Sequence, residues 1–339
     1  MGLSFTITPD VVFQGSSYVH APLDPNAPID PNSANYVARL QQLITNHYGH
    51  ADVMQGAAIF QATPGAPTSS VKAIIWDTGE NAYPDFQSQL ENVPVPADFT
   101  DAGDVDQEAT IIDLDSGKIW EFWLLRKTGA QITDSSGATV DEWGAQWGGR
   151  MDTIATAPGY WVPDANGVNY GATASGIPLL AGMMTIEELQ AGVVNHVIGM
   201  AIPEVLAGNW SIPAQRTDGE SGDPGAIPYG AIFRFPPDLD LSTFNLTPFA
   251  LMIATTIQKH GAIVWDYAGL VQFYCEPTRG QYPSGEDPYY KEGGILACPA
   301  GADPVLFPDN QEIYQCWAPA HFSNFPWDKL QMLQLQLVN

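Results

Sequence analysis

The chain has 339 residues, of which 45% are hydrophobic and 11% aromatic, and it contains 32 glycines and 28 prolines. Such a composition favours a folded core with many short elements joined by turns over a disordered chain. With 12 Lys and Arg against 38 Asp and Glu, the formal net charge is −26, which disfavours nucleic acid and anionic membrane surfaces as partners. No apolar run of about 18 residues is present to span a bilayer, so we expect no membrane insertion.

The N-terminal residues, MGLSFTITPDVVFQG, alternate apolar and polar types and lack the basic and apolar regions of a signal peptide. Residues 1–21 are therefore predicted to form an N-terminal arm or a first edge strand, which could serve for attachment. No internal repeat and no clean linker divides the rest, so residues 22–339 are predicted to be a single domain.

Two helices are predicted from their caps and from the spacing of their apolar residues. Ser33 is a good N-cap, and apolar residues recur at helical spacing over residues 34–48. Thr247 caps and Pro248 begins a second helix, which Gly261 closes. Both helices are expected to lie on a β core.

Two hairpins are predicted from alternation and turn residues. Residues 109–114 and 118–126 flank an Asp-Ser-Gly turn, and residues 263–265 and 270–275 flank an Asp-Tyr-Ala-Gly turn. Together with other short strand candidates, these patterns predict a mainly β fold, a β-sandwich or jelly roll with a few peripheral helices.

A central stretch, residues 171–203, combines a glycine-punctuated apolar arch, a short helix and an apolar segment. Thr185 and Glu188 form a capping box for a helix over 186–191, and Gly192 supplies its left-handed stop. The β-branched residues that follow predict a buried strand with His196 inside it.

Several pieces of the chain are similar to one known family. They are PLDPNAPIDPNSANYVARL (22–40), IIDLDSGKIWEFWLLRK (111–127), WGGRMD (147–152), the central stretch, WSIPAQRTDGES (210–221), IPYGAIFRF (227–235) and FPWDKLQMLQLQL (325–337). In these pieces the chain resembles secreted actinobacterial proteins and minor tail proteins of actinobacteriophages. The resemblance implies a β-rich, virion-borne or extracellular protein that faces glycan, and it implies no particular reaction.

The chemistry-bearing residues begin with His196, for which two interpretations are open. A lone imidazole in an apolar strand is either a general base or a structural histidine bonded to a backbone carbonyl. Arg216, Asp218 and Glu220 lie on one loop and could bind a sugar, supply an acid/base pair, or form an Arg–carboxylate clamp. We expect His196 to lie near this loop if His196, Asp218 and Glu220 are catalytic.

Tryptophans provide the second group of candidates, because a flat indole matches the C–H face of a pyranose. Trp120 is assigned to the core, whereas Trp123, Trp147 and Trp161 are predicted to be exposed. Arg150 and Asp152 could add polar contacts or form a plain salt bridge. The predicted ligand-binding residues are Trp123, Trp147, Arg150, Asp152, Trp161, Trp210 and Arg216.

Metal and redox chemistry receive little support. Asp101, Asp104 and Asp106 could form a loop calcium site, but the EF-hand pattern is absent, so no cofactor is predicted. The three cysteines, Cys275, Cys298 and Cys316, are an odd number and show no zinc-site spacing, which argues against a disulfide framework and leaves a single bridge among them open.

Two functions from different classes follow. The first is a minor tail protein of the virion, extracellular at its point of action, that recognises cell-envelope glycan or assembles with itself and other tail proteins. The alternative is a glycan-degrading enzyme, a glycoside hydrolase or polysaccharide lyase, that uses His196 with Asp218 or Glu220. A plain tail building block without a ligand is the third possibility.

Overall fold

The computed structural model describes residues 11–81, 83, 85–97, 99–100, 105–278, 288–289, 293–297 and 321–338. Within these residues the chain forms fifteen strands in four sheets and four α-helices, which confirms the mainly β prediction. No described helix is both long and apolar enough to cross a bilayer.

The strands are β1 (Asp52–Gln55), β2 (Ala58–Gln61), β3 (Lys72–Ala73), β4 (Ala109–Asp113), β5 (Lys118–Trp123), β6 (Arg126–Thr133), β7 (Thr139–Ala145), β8 (Trp147–Met151), β9 (Ile198–Ile202), β10 (Trp210–Ser211), β11 (Ile232–Arg234), β12 (Ala262–Tyr267), β13 (Gln272–Cys275), β14 (Gln331–Met332) and β15 (Leu337–Val338). The helices are α1 (Ser33–Asn46), α2 (Leu179–Gly182), α3 (Ile186–Ala191) and α4 (Pro248–Lys259).

The largest sheet has the order β1-β13-β9-β12-β11-β14. The hairpin predicted over residues 263–275 is wrong, because β9 lies between its two strands, parallel to β12 and antiparallel to β13. Every residue of β9 is buried, and such a strand needs a neighbour on each edge to satisfy its backbone groups. His196 precedes β9 and lies outside the strand that was predicted to contain it.

The arrangement as a β-sandwich or jelly roll is not confirmed. A jelly roll is built from antiparallel Greek keys, whereas four strand pairs here are parallel: β1 with β13, β9 with β12, β2 with β4, and β3 with β7. The remaining sheets have the orders β2-β4-β5-β8, β3-β7-β6 and β10-β15.

The predicted hairpin of β4 and β5 is confirmed in the four-stranded sheet. Both faces of β5 are covered, since Trp120 and Glu121 are each 1% exposed or less. Glu121 accepts a hydrogen bond from the backbone N–H of Leu180 in α2 at 3.1 Å, and burial raises the pKa of Glu121 to about 7. This carboxyl group therefore ties the four-stranded sheet to the helix that packs on β9.

The predicted helices are confirmed, with small changes at their ends. The Thr185 and Glu188 capping box begins α3, and Gly192 ends it with φ of 68°. The Thr247 hydroxyl accepts the Ala250 N–H at 3.2 Å to cap α4. Helix α1 begins at Ser33 itself, without a side-chain cap.

The predicted arm differs from the structure where it is described. Residues 1–10 lie outside the described part of the chain, and residues 11–21 form turns and bends instead of a strand. Val12, Phe13 and Val19 are fully buried, so this segment packs into the body. The edge-strand prediction is therefore wrong for residues 11–21, and the alternating residues 1–10 lie outside the described ranges.

Two glycines allow close packing in and beside the six-stranded sheet. A Cβ on Gly56, between β1 and β2, would lie 2.4 Å from the ring of Tyr274 in β13. A Cβ on Gly199 in β9 would lie 2.2 Å from the indole of Trp265 in β12. Side chains at these positions would separate the elements that frame the cavity described next.

Candidate functional site

A cavity of about 610 Å³ opens at the junction of the two larger sheets. Its wall contains aromatic rings, carboxylates and one guanidinium, a mixture that is typical of sites for polar ligands with flat apolar faces. The lining residues are Ile75, Tyr83, Asp106, Glu108, Trp123, Gln146, Trp147, Ala172, Thr173, Ala174, Arg216, Thr217, Asp218, Asp266, Tyr267 and Tyr274.

Strand ends place most of these residues. Asp106 and Glu108 precede β4, Trp123 ends β5, and Trp147 begins β8. Asp266 lies near the end of β12, where the pairing with β9 shifts register between Val264 and Asp266. Successive side chains of a strand point to opposite faces, so the carboxylate of Asp266 lies at the cavity wall while Trp265 lies in the core.

Arg216 holds the arch at residues 169–174 against the loop after β10. Its guanidinium donates to the backbone carbonyls of Gly171 at 2.9 Å, Thr173 at 2.6 Å and Ala174 at 3.3 Å, and also to that of Asn169. Burial lowers the pKa of Arg216 to about 10, so the group remains charged at neutral pH.

The indole of Trp147 lies at the centre of an aromatic cluster beside Arg216. The guanidinium carbon of Arg216 is 5.7 Å from the Trp147 ring centroid. Phe86 and Tyr170 stack on Trp147 with centroid separations of 4.9 and 5.7 Å, and Tyr83 meets it edge-on at 5.1 Å. Since Tyr83 is 59% exposed, this cluster extends from the core to the mouth of the cavity.

Three carboxylates of the lining are anchored through one oxygen each. Asp106 accepts from Nε1 of Trp123 at 3.0 Å, and Asp218 accepts from the hydroxyl of Tyr229 at 2.8 Å. Oδ1 of Asp266 accepts from the backbone N–H groups of Tyr267 at 2.8 Å and Ala174 at 3.4 Å. These contacts fix the orientation of each carboxylate in the wall.

Asp266 differs from its neighbours in its protonation. Desolvation at the cavity wall raises the pKa of Asp266 to about 7, and the nearby carboxylates of Asp218 and Asp106 act in the same direction. A carboxyl group that holds its proton near neutrality beside a second carboxylate is the arrangement required for general acid catalysis.

The structure brings together only part of the predicted site. Trp123, Trp147, Arg216 and Asp218 all line the cavity, and both tryptophans are half-buried with part of the ring accessible. Glu220 is exposed on the same loop but does not line the cavity.

Trp161, predicted to be exposed, is buried with 3% of its surface accessible. Gly171 adopts φ of 104° directly against its indole, where a Cβ would lie 2.0 Å from Nε1. The ring therefore supports the arch from below and is not available to a ligand.

Three further predicted ligand-binding residues lie away from the cavity. Trp210 is half-buried in β10, which pairs with β15. Arg150 and Asp152 form a surface ion pair at 2.8 Å, and Arg150 also donates to the Ser88 carbonyl at 3.2 Å. The plain salt-bridge interpretation of Arg150 and Asp152 is therefore the one observed.

His196 does not join the loop of Arg216. The imidazole is fully buried, with Nδ1 2.6 Å from the Val197 carbonyl oxygen and Nε2 3.1 Å from the Glu188 carboxylate. Burial opposes the charged form, but Glu188 outweighs it and raises the pKa of His196. None of its described contacts reaches Arg216, Asp218 or Glu220, so its role is to link α3 to the start of β9.

The sequence interpretation missed several residues of the wall, above all Asp266, Glu108, Tyr267 and Tyr274. Asp266 and Tyr267 begin an Asp-Tyr-Ala-Gly run, which is a sequence typical of a hairpin turn. The signal that could have identified them is their position directly after a fully apolar strand, where a polar side chain reaches the sheet edge.

The calcium hypothesis is tested only in part. Asp101 and Asp104 lie outside the described residues, and Asp106 is bonded to Trp123. Within the described part of the chain, no group of three or more His, Cys, Asp or Glu residues is arranged to hold a metal ion. Cys275 is buried in β13, whereas Cys298 and Cys316 are outside the described ranges.

A scan against protein-family models and searches of curated proteins and of solved structures found no match to this chain.

Proposed function

We propose that the chain is a glycan-binding component of a phage tail, and that it holds cell-envelope carbohydrate in the cavity between its two larger sheets. The observation that carries the glycan assignment is the combination of accessible indole and phenol rings with anchored carboxylates in one wall. Rings contact the C–H faces of sugars, and oriented carboxylates accept hydrogen bonds from their hydroxyls.

The tail assignment rests on the resemblance to minor tail proteins of actinobacteriophages. In this proposal the protein acts outside the host cell, as part of the virion, with other tail proteins or further copies of itself as partners. Detection of the chain in purified virions by mass spectrometry would support this location, and its recovery from a bacterial secretome alone would count against it.

Removal of one exposed ring from the wall tests the binding site. Tyr267 is 58% exposed and lines the cavity, so Tyr267→Ala should preserve the fold while weakening the binding of soluble actinobacterial envelope oligosaccharides. Loss of one ring contact corresponds to about 1 kcal/mol, or about fivefold in Kd, measurable by calorimetry.

Tyr48→Ala is the control for Tyr267→Ala, and Trp210→Ala is the control for Trp123→Ala. Tyr48→Ala removes a tyrosine that is 76% exposed outside the cavity and should leave the affinity unchanged. Trp123→Ala and Trp210→Ala remove half-buried indoles inside and outside the cavity, and only the first should weaken binding. Equal affinities for all four variants would exclude the cavity as the binding site.

Glycan hydrolysis is a second candidate function, favoured by the placement of Asp266 and Asp218 in one wall. In this reaction the Asp266 proton passes to the glycosidic oxygen as the bond to the anomeric carbon breaks. Asp218, as the carboxylate, accepts a proton from the water that adds to that carbon. His196 and Glu220 take no part, because the first is sealed in the core and the second lies outside the cavity.

The hydrolytic function predicts a defined pH profile. Because the pKa of Asp266 is raised to about 7, its acid form is present below that pH and is lost above it, so turnover should fall as the pH rises through about 7. Asp266→Asn should lower the release of reducing ends from envelope polysaccharide by at least about 100-fold without abolishing binding. If the unmodified protein releases no fragments at any pH, the cavity binds without hydrolysis.

A further inference from the structure

We propose that the cavity selects sugars that carry a protonated amine over neutral and acidic sugars. This inference rests on the proposed glycan-binding function and specifies its ligand class. It follows from where the charged groups of the wall are placed and from what already occupies their hydrogen-bonding atoms.

Acidic groups outnumber basic ones in the lining. Asp106, Glu108, Asp218 and Asp266 face the cavity, and Arg216 is the one Lys or Arg among the described lining residues. Because the pKa of Asp266 is raised to about 7, this group is mainly neutral at pH 6, and the negative charge of the wall comes from the other three. A wall of this composition attracts cations and repels the carboxylates of acidic sugars.

The charge of Arg216 is directed away from a ligand. Its guanidinium donates to the four arch carbonyls of Asn169, Gly171, Thr173 and Ala174. Its carbon also lies 5.7 Å from the centroid of the Trp147 ring. With four of its five N–H donors used by the backbone, Arg216 shapes the wall and is poorly placed to bind an anion.

The carboxylates, in contrast, retain acceptor capacity. The described contacts of Asp106, Asp218 and Asp266 all fall on Oδ1, so among the described residues no hydrogen-bond donor occupies the second oxygen of any of them. An ammonium group offers three N–H donors, which matches several convergent carboxylate oxygens better than a single hydroxyl does.

Aromatic faces complete the match to a cation. Trp123 and the exposed ring of Tyr267 share the wall with these carboxylates, whereas Trp147 is already packed against Phe86, Tyr170 and Arg216. The negative π face of an aromatic ring attracts a cation, while the C–H face of the same sugar packs on it. An amine-bearing sugar therefore interacts favourably with both the acidic groups and the aromatic rings, whereas a neutral sugar lacks the charge interaction.

The test compares two oligosaccharides that differ only in the amine. Pentamers of β-1,4-linked glucosamine and of N-acetylglucosamine are titrated into the full chain by calorimetry at about pH 6, where the sugar amine is protonated. We expect the deacetylated pentamer to bind at least tenfold more tightly, and we expect this preference to shrink as salt is added.

Charge-removal variants assign the preference to the cavity. Asp218→Asn should reduce the preference for the deacetylated pentamer at least threefold, whereas Asp115→Asn, which removes one exposed carboxylate from the β4–β5 turn, should not change it. Circular dichroism of both variants is the check that they are folded.

Two outcomes would overturn the inference. The first is equal or tighter binding of the acetylated pentamer, which would leave the proposed glycan-binding function intact. The second is an absence of binding to both pentamers, in which case the proposed function is judged separately by the envelope oligosaccharides and the Tyr267→Ala variant.

Discussion

Gly199→Ala should destabilise the protein by about 3 kcal/mol or more, at the upper end of what overpacking a core causes. A Cβ at this position would lie 2.2 to 2.5 Å from three atoms of the Trp265 indole, which is fully buried. Gly182 of α2 is also packed tightly here, since a Cβ on it would lie 2.7 Å from the Gly199 nitrogen and 2.8 Å from the Trp265 indole. The added methyl group therefore forces β9, α2 or β12 to move.

Thermal and urea denaturation of the variant measure this loss. Gly222→Ala is the control, because a Cβ there meets nothing within 4 Å, and it should unfold like the unmodified protein. Adding Trp265→Leu to Gly199→Ala should recover part of the stability by opening space for the methyl group. A Gly199→Ala protein with unchanged stability would show that β9 does not pack against Trp265 as described.

Arg216→Lys should remove glycan binding and lower the free energy of unfolding by about 2 to 3 kcal/mol, although the charge is kept. The planar guanidinium reaches four carbonyls of the arch at once, whereas a lysine ammonium has three donors on one atom. Carbonyls left without donors would let the arch at residues 169–174 move, and Ala172, Thr173 and Ala174 form part of the cavity wall.

Denaturant titration and calorimetry with envelope oligosaccharides measure the two effects. Arg150→Lys is the matched control, because Arg150 forms a surface pair with Asp152, and it should cost less than about 1 kcal/mol with no change in affinity. Normal affinity in Arg216→Lys would mean that the arch keeps its shape without the guanidinium.

Local signals predicted the helices and the first hairpin well. The Thr185 and Glu188 box, the Gly192 stop and the Thr247-Pro248 start all depend on residues within a few positions of one another. The hairpin of β4 and β5 likewise depends on one short turn and on alternation beside it.

Sheet order was not predictable in the same way, because nothing near residues 262–275 indicates that a strand from residues 198–202 separates β12 from β13. The same reason explains the incomplete site. Trp123, Trp147, Arg216 and Asp218 were identified by their chemistry, but Asp266 lies at the cavity wall because of a sheet arrangement that no local pattern encodes. His196 and Trp161 have equally suggestive chemistry, and long-range packing buries both.

The placement of β9 between β12 and β13 also constrains how the chain reaches its native state. β12 and β13 are only a few residues apart in sequence. They cannot pair with each other as a hairpin, because β9, which comes earlier in the chain, must lie between them. The long loop between β9 and β12 must close before the contacts among these strands can form, and such a non-local step makes folding slow. Until β9 has inserted, the unpaired edges of β12 and β13 are exposed to other chains. The yield of refolded protein after dilution from denaturant should therefore decline as the protein concentration rises.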